Sequence, residues 1–263
     1  MLAIISSVWR WRRLVRELAR RDFKARYAGS ALGVTWSVLE PLIQFGLYLV
    51  VFSVFLGMRF EDNPRVGSFG LYLVSGLVPY LAFQESVHRA TGLARAEAGL
   101  VRHVNAPLEV LLAGSLVSIF VRFGIAFLLV VAAAIGFGTV HWAQLPWVVV
   151  GLLLLVAGSW GVALALVPAG AFMPDLPQVV GTATTVMFFL TPIVYPAKLL
   201  QKAIPWLLVA NPLVGLLDTF RAGLVGGAVV AASLAVTAAA VVFANLLGGA
   251  IFVRRARAVR DVV

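Results

Sequence analysis

The chain has 263 residues, of which 62% are hydrophobic and 12% are charged, so it carries far more apolar surface than a soluble domain of this size buries. It contains no cysteine, which excludes disulfide bonds, iron–sulfur clusters and thiolate metal sites. The net charge of +10 is concentrated beside apolar segments, with eight of the 21 Lys and Arg residues in 10–26 and four in the last ten, a pattern typical of membrane-surface anchors and not of a nucleic-acid partner.

Residues 10–27 are predicted to form an amphipathic helix. Between Trp11 and Phe23 the apolar side chains recur three and four positions apart, while a separate row contains Arg12, Arg16, Arg20 and Lys24. Such a helix lies on a membrane, with its apolar face in the acyl boundary and its arginines among anionic headgroups. Two roles stay open: the helix anchors the first span, or its cytoplasmic face docks a partner protein.

Six segments are predicted to span the membrane, since about 20 apolar residues cross a hydrocarbon core. They lie at about 33–57, 67–85, 109–137, 145–171, 179–195 and 228–253. The apolar stretch 196–227 is broken by Pro205 and Pro212 and reaches Asp218 too soon to cross, so we interpret it as a re-entrant region. The predicted fold is an all-α polytopic membrane protein whose residues 1–263 form a single transmembrane domain.

The distribution of Lys and Arg predicts the orientation, because cytoplasmic segments carry an excess of both. With a cytoplasmic N-terminus, fifteen of these residues fall inside and five outside, and Arg122 lies within the third span. Both termini are therefore predicted to be cytoplasmic.

The loop at 88–107, between the second and third spans, is predicted to hold a second interfacial helix that faces the cytosol. Glu97 and Arg102 lie off its apolar face, and Pro107 terminates it. The apolar face is marked by Leu93, Leu100, Val101 and Val104.

Four stretches, in this order, resemble the permeases of type-2 ABC exporters, and most closely the branch that exports O-antigens, capsular polysaccharides and teichoic acids on lipid carriers. They are RRDFKARYAGSALGVTWSVLEPL (20–42), AGLVRHVNAPLEVL (98–111), FMPDLPQVVGTATTVMFFLTPIVYP (172–196) and NPLVGLLDTFRAGLVGG (211–227). The resemblance covers residues 10–253. It departs at Pro174-Asp175, where members commonly have Arg-Asp, and at Ala106, where they have an aromatic residue.

This resemblance implies a homodimer in the bacterial inner membrane, bound to two ATP-binding cassette subunits and moving a lipid-linked polysaccharide. In the family, the helix matching 10–27 lies beside the nucleotide-binding subunit, and the helix matching 93–105 inserts into a cleft of that subunit. The candidate partner contacts are therefore Arg16, Arg20, Lys24, Arg26, Glu97 and Arg102.

ATP and Mg²⁺ are expected in the partner, and no cofactor is expected in this chain. None of the three lysines, Lys24, Lys198 and Lys202, follows the glycine that the phosphate-binding sequence G-x-x-x-x-G-K-[ST] requires. The three histidines do not predict a metal site. The chain is thus predicted to be a transport subunit and not an enzyme.

Ionisable groups within spans are costly in hydrocarbon and commonly mark a partner or a polar cavity. Glu40 lies about two turns into the first span, and Arg122 lies near the middle of the third, at depths that differ by roughly 8–10 Å. In one interpretation the two side chains pair and fix the first span against the third. In the other, Arg122 faces the translocation path and attracts a phosphate of the substrate.

Aromatic side chains recur on the first and fifth predicted spans. Most such stripes face lipid or pack against neighbouring helices, but sugar rings also stack on aromatic faces, so these side chains are candidates for the wall of the path. With the two ionisable groups, the channel or gate candidates are Glu40, Phe45, Tyr48, Phe52, Arg122, Phe188 and Tyr195.

Two other functions stay open. A type-2 exporter of drugs or small lipids would have much the same sequence. An ion-coupled secondary transporter is less well supported, because few titratable residues lie near the middle of the predicted spans.

Overall fold

The computed structural model describes residues 1–55, 57, 68–103 and 106–262. Over these residues the secondary structure is helical, with twelve α-helices. They are α1 (Leu2–Arg10), α2 (Arg12–Arg26), α3 (Trp36–Leu49), α4 (Ser68–Ala96), α5 (Ala98–His103), α6 (Leu108–Gly136), α7 (Leu145–Phe172), α8 (Leu176–Leu190), α9 (Ala197–Ala203), α10 (Pro205–Ala210), α11 (Pro212–Val225) and α12 (Ala231–Val262).

Four helical segments are long and apolar enough to cross a bilayer, which makes the chain a polytopic membrane protein. They are Gly33–Phe52, Leu108–Gly136, Trp142–Phe172 and Ala231–Ala256. The other two predicted spans fall on α4, which becomes polar after Phe83, and on α8, whose 15 residues measure about 22 Å. The all-α polytopic class is therefore confirmed.

The core is built around α7, which packs against α4, α11 and α12. Small residues allow this close approach: a Cβ added at Gly161 of α7 would lie 2.7 Å from the backbone nitrogen of Asn245 on α12. Glycine at such a contact lets two helix backbones meet and gain van der Waals packing, which is how spans associate when lipid surrounds them.

The predicted helix at 10–27 is observed as α2, and a separate short helix, α1, precedes it. The apolar face of α2 is formed by Val15, Leu18 and Ala19, and all three are buried, with α6 as the main neighbouring helix. Gly114 of α6 makes the contact close, because a Cβ there would lie 2.7 Å from Leu18 Cβ. These three side chains therefore pack on protein and not in the acyl boundary, whereas Trp11, at the start of the predicted apolar face, is 40% exposed.

The predicted coupling helix at 93–105 is divided in the structure. Helix α4 continues through Ala96, and the short α5 follows at Ala98–His103, while Val104 lies outside the described residues. Leu93 and Val101 are buried in the same core cluster. The predicted apolar face therefore exists, and it packs both helices against the rest of the helix bundle.

The region 196–227 consists of three short helices, α9, α10 and α11. Helix α11 is almost wholly buried and contacts α4, α7 and α12. Its first turn is capped by Asn211, whose Oδ1 accepts a hydrogen bond from Leu213 N at 3.0 Å.

Helix α3 lies at the edge of the bundle, where only Ser37 and Pro41 are buried among its residues. Its apolar side chains Leu42, Ile43 and Leu47 are exposed. The single chain thus leaves most of its first span uncovered by protein.

Candidate functional site

A cleft of about 350 Å³, lined by both polar and apolar side chains, lies between α3, α4 and α6. It brings together Glu40, Phe45 and Arg122, three residues that the sequence assigns to the transport path. Polar groups at membrane depth are costly unless they face water, a partner or a ligand, so this cleft is the candidate for a site inside the membrane. Its other polar lining comes from Tyr27, Ser37, Gln44, Gln84, Glu85 and His88.

The Arg122 guanidinium pairs with the Glu85 carboxylate on α4. Arg26 Nη1 of α2 lies 3.3 Å from the other oxygen of Glu85, so one carboxylate serves two arginines. The predicted pair of Arg122 with Glu40 therefore does not form, because α4 packs directly on α6 whereas α3 stays at the edge. Among the described residues, no cation lies within ion-pair distance of Glu40, whose side chain is exposed in the cleft.

A second cavity, of about 320 Å³, adjoins the cleft and shares Glu85 and Arg122 with it. It lies between α2, α4 and α6, and Asp22 and Arg89 contribute to its wall. The two cavities thus extend from the first span to the interfacial helix.

An ion network at this end of the molecule joins three elements. Arg21 Nη2 donates to Glu97 Oε1 at 2.6 Å and to Asp22 Oδ1 at 3.0 Å, and Arg89 Nη2 lies 3.3 Å from the same oxygen of Glu97. Ser115 Oγ of α6 donates to Asp22 Oδ2 at 3.2 Å. Although burial lowers the pKa of Arg21, hydrogen bonds to Asp22 and Glu97 outweigh it and raise that pKa above its ordinary value.

The network changes the interpretation of Glu97. The sequence places this residue off the apolar face, on a surface that meets a partner, but the structure leaves its side chain only 11% exposed, between Arg21 and Arg89. Arg26 is likewise engaged within the chain, through Glu85. Arg26 nevertheless stays exposed, as do the other four candidate partner contacts, Arg16, Arg20, Lys24 and Arg102.

The sequence profile of the ABC-2 type transporter family matches residues 13–225. This chain belongs to that family. The resemblance found in the sequence is confirmed, and the chain is a membrane transport component.

Several curated transport and export proteins are similar to it over most of their length. The O-antigen export system permease protein RfbA of Myxococcus xanthus is 26% identical over 226 residues, which cover 84% of each chain. The polysialic acid transport protein KpsM of Escherichia coli is 26% identical over 81% of each chain. The capsule polysaccharide export inner-membrane protein CtrC of Neisseria meningitidis serogroup B is 24% identical over 83% of this chain and 82% of its own.

The aromatic candidates of this ABC-2 chain do not form one wall within a single subunit. Phe45 lines the cleft. The centre of the Phe52 ring, in contrast, lies 5.5 Å from that of the buried Phe69, and the Tyr48 ring, one turn earlier in the chain, lies 6.4 Å from that of Phe52. On the other side, Phe188 packs 5.4 Å from Tyr80 of α4. Tyr195 donates a hydrogen bond of 2.7 Å to the Phe189 carbonyl.

Sequence reasoning about the ABC-2 chain missed the central position of Glu85 and the network of Asp22, Arg89 and Glu97. A signal was present, because Glu85, Arg89 and Glu97 are four and eight residues apart and share one face of a helix. Within the described residues, no group of three or more His, Asp or Glu side chains is placed to hold a metal ion.

Proposed function

We propose that this ABC-2 chain is the membrane subunit of an ATP-driven exporter that moves a lipid-linked polysaccharide out of the cytoplasm. The observation that carries the proposal is the extent of the similarity: permeases named for O-antigen, polysialic acid and capsule export match between 81% and 84% of this chain. The cleft beside an uncovered first span supports the same function, because its polar and apolar lining suits an amphiphile that enters from the lipid.

The proposed topology has six spans, with both termini in the cytoplasm and the chain in a bacterial inner membrane. Helix α4 supports this count, since Tyr72 and Arg89 are 17 residues apart and thus about 25 Å along its axis. Helix α8 is apolar but has 15 residues, about 22 Å along its axis, so the proposal counts it as a shorter span. The region 196–227 then folds back at the outer face.

ATP and Mg²⁺ are bound by a separate cassette subunit in this proposal, because the chain lacks the phosphate-binding sequence. The exposed Arg16, Arg20, Lys24 and Arg102 form the docking surface for that subunit. The ion network fixes α2 to the end of α4, so a displacement of the docking surface is passed to both helices.

The working unit is proposed to be a homodimer. Helix α3 exposes a row of large apolar side chains, and α8 exposes Val179, Val186 and Phe189. A second copy that faces these helices completes a path which one subunit leaves open. Phe45, Tyr48, Phe52, Phe188 and Tyr195 then supply aromatic surface on which sugar rings slide, with Glu40 at the entrance.

Affinity purification of the full chain from native membranes tests the proposal. We expect an ABC ATPase to co-purify in equal amount, with ATP hydrolysis that vanadate inhibits and that a lipid-linked glycan stimulates. The variant Arg102→Glu, which reverses a charge of the proposed docking surface, should purify with less ATPase than the unmutated chain. Stimulation by drugs or phospholipids but not by glycan lipids would favour the alternative exporter, and recovery of the chain without any ATPase would contradict the proposal.

A further inference from the structure

Two of the stretches that the sequence singles out, 172–196 and 211–227, meet at the end of α8. Asn211 Nδ2 donates to the Leu190 carbonyl at 3.3 Å and to Thr191 Oγ1 at 2.9 Å. Arg221 Nη2 donates to the Pro192 carbonyl at 2.7 Å. Side chains from the folded-back region therefore hold three successive residues where α8 ends.

The environment of Arg221 is closed on every side that the structure describes. The residue is 4% exposed, and its guanidinium lies 3.6 Å from the centre of the Tyr72 ring. The Tyr72 hydroxyl donates to the same Pro192 carbonyl at 3.4 Å. Gly76 makes room for the cation, because a Cβ at that position would lie 2.7 Å from Arg221 Nη2.

Burying the charged side chain of Arg221 costs free energy that an apolar side chain at the same place would not. Its Nε is buried and has no hydrogen-bond partner among the described residues. An unpaired donor on the buried cation adds to that cost. What the arginine adds is a charge-assisted hydrogen bond to the carbonyl of Pro192, in the non-helical segment that follows α8.

The position of this contact gives it a role at the face opposite the ion network. Along α4, Tyr72 lies about 25 Å from Arg89. Helix α8 contacts the body along one side, where Tyr80 of α4 donates to the Thr184 carbonyl and packs on Phe188, while Val179, Val186 and Phe189 are exposed. The contacts at 190–192 continue this attachment past the end of α8 and hold the segment that follows it.

We propose that Arg221 is a positioning residue that latches the outer end of α8 and holds the segment 191–196 against the body of the permease. Its link to export depends on the proposed function, in which the substrate passes α8. With the latch broken, the segment loosens and the path loses its closure at the outer face.

The absence of native cysteine makes a direct test simple. Ile193 is fully buried, so a single Ile193→Cys reporter in the full chain, in native membranes with its ATPase, should react slowly with a membrane-impermeant maleimide. Adding Arg221→Met should speed labelling at least about tenfold, because a charge-assisted hydrogen bond is lost. Lys202→Met, which removes an exposed cation from the same region, should leave the rate unchanged.

Two further variants keep the test informative if Arg221→Met accumulates poorly. Gly76→Ala leaves the arginine in place but displaces its guanidinium, so it should also speed labelling, and it should add little to Arg221→Met because both break one contact. Arg221→Lys should restore slow labelling in part. Labelling of Gly76→Ala and Arg221→Met at the rate of the reporter alone would overturn the latch.

Export is measured separately on the same variants without the reporter. Reduced surface polymer in Arg221→Met, with normal ATPase binding and partial rescue by Arg221→Lys, supports the positioning role. Faster labelling with unchanged export overturns the link to transport. Failure of the unmutated chain to export polymer contradicts the proposed function and leaves the labelling result valid.

Discussion

At the scale of single residues, Glu85 is the centre of the cleft because it neutralises two arginines at once. Arg122 comes from a span and Arg26 from the interfacial helix, so the carboxylate fixes both against α4. Depth along the chain, which is what the sequence gives, does not reveal which helices face each other. Of the two interpretations that the sequence left open, the pairing of Arg122 with Glu40 is wrong, because the partner of Arg122 is Glu85. Glu40, Phe45 and Arg122 line one cleft, and their role in transport stays a prediction.

Neutralising Glu85 should therefore destabilise the chain, whereas neutralising Glu40 should not. Glu85→Gln leaves the largely buried Arg122 without its counter-ion, at an expected cost of roughly 1–3 kcal/mol. Thermal unfolding in detergent measures the difference, with Glu40→Gln as the matched control. Equal melting temperatures for the two variants would show that the Glu85 pair does not hold the helices together.

The two charges near α5 should likewise separate into different roles. Glu97→Gln removes the negative charge that Arg21 and Arg89 share, so it should lower both thermal stability and ATPase binding. Arg102→Glu changes only an exposed charge, so it should weaken ATPase binding and leave stability within about 0.5 kcal/mol. Co-purification and unfolding on the same samples check this, and a stable Glu97→Gln that binds ATPase normally would contradict the network's role.

At the scale of elements, the pattern of apolar residues predicted those helices that depend only on their own sequence. Helices α6, α7 and α12 cover the third, fourth and sixth predicted spans, because long uninterrupted apolar runs specify helices without help from neighbours. The division at Glu97 and the burial of the apolar face of α2 were not predictable in this way. Both depend on which surface α6 presents to them, which is a tertiary property.

The aromatic side chains of the first span should differ in stability as their packing differs. Phe52→Ala removes a ring packed on the buried Phe69 and should cost roughly 1–3 kcal/mol, less than a fully buried phenylalanine. Phe45→Ala enlarges an open cleft and should cost less, while altering export. The comparison uses unfolding in detergent together with surface polymer in cells. A larger loss of stability for Phe45→Ala than for Phe52→Ala would contradict this account, because it would show that Phe45 is the more tightly packed of the two rings.

At the scale of the whole molecule, the chain has no phosphate-binding sequence, so ATP hydrolysis is expected in a separate subunit. In the proposed assembly, the basic surfaces of the chain bind the ATPase subunit, and we propose the exposed face of α2 and Arg102 as these surfaces. The ion network connects α2 to α4, and α4 extends to Tyr72, which packs on Arg221. The family was visible in the sequence, whereas this connection appeared only in the structure, because it joins residues from α2, α4, α6 and α11.

The most direct test of the proposed function is to delete only the gene for this chain and to measure the polysaccharide on the cell surface. We predict that the polymer disappears from the surface and accumulates inside the cell on its lipid carrier. Restoring the chain should return the polymer to the surface, and restoring it as Arg102→Glu, which is expected to bind the ATPase more weakly, should return less. Unchanged surface polysaccharide in the absence of the chain would contradict the account.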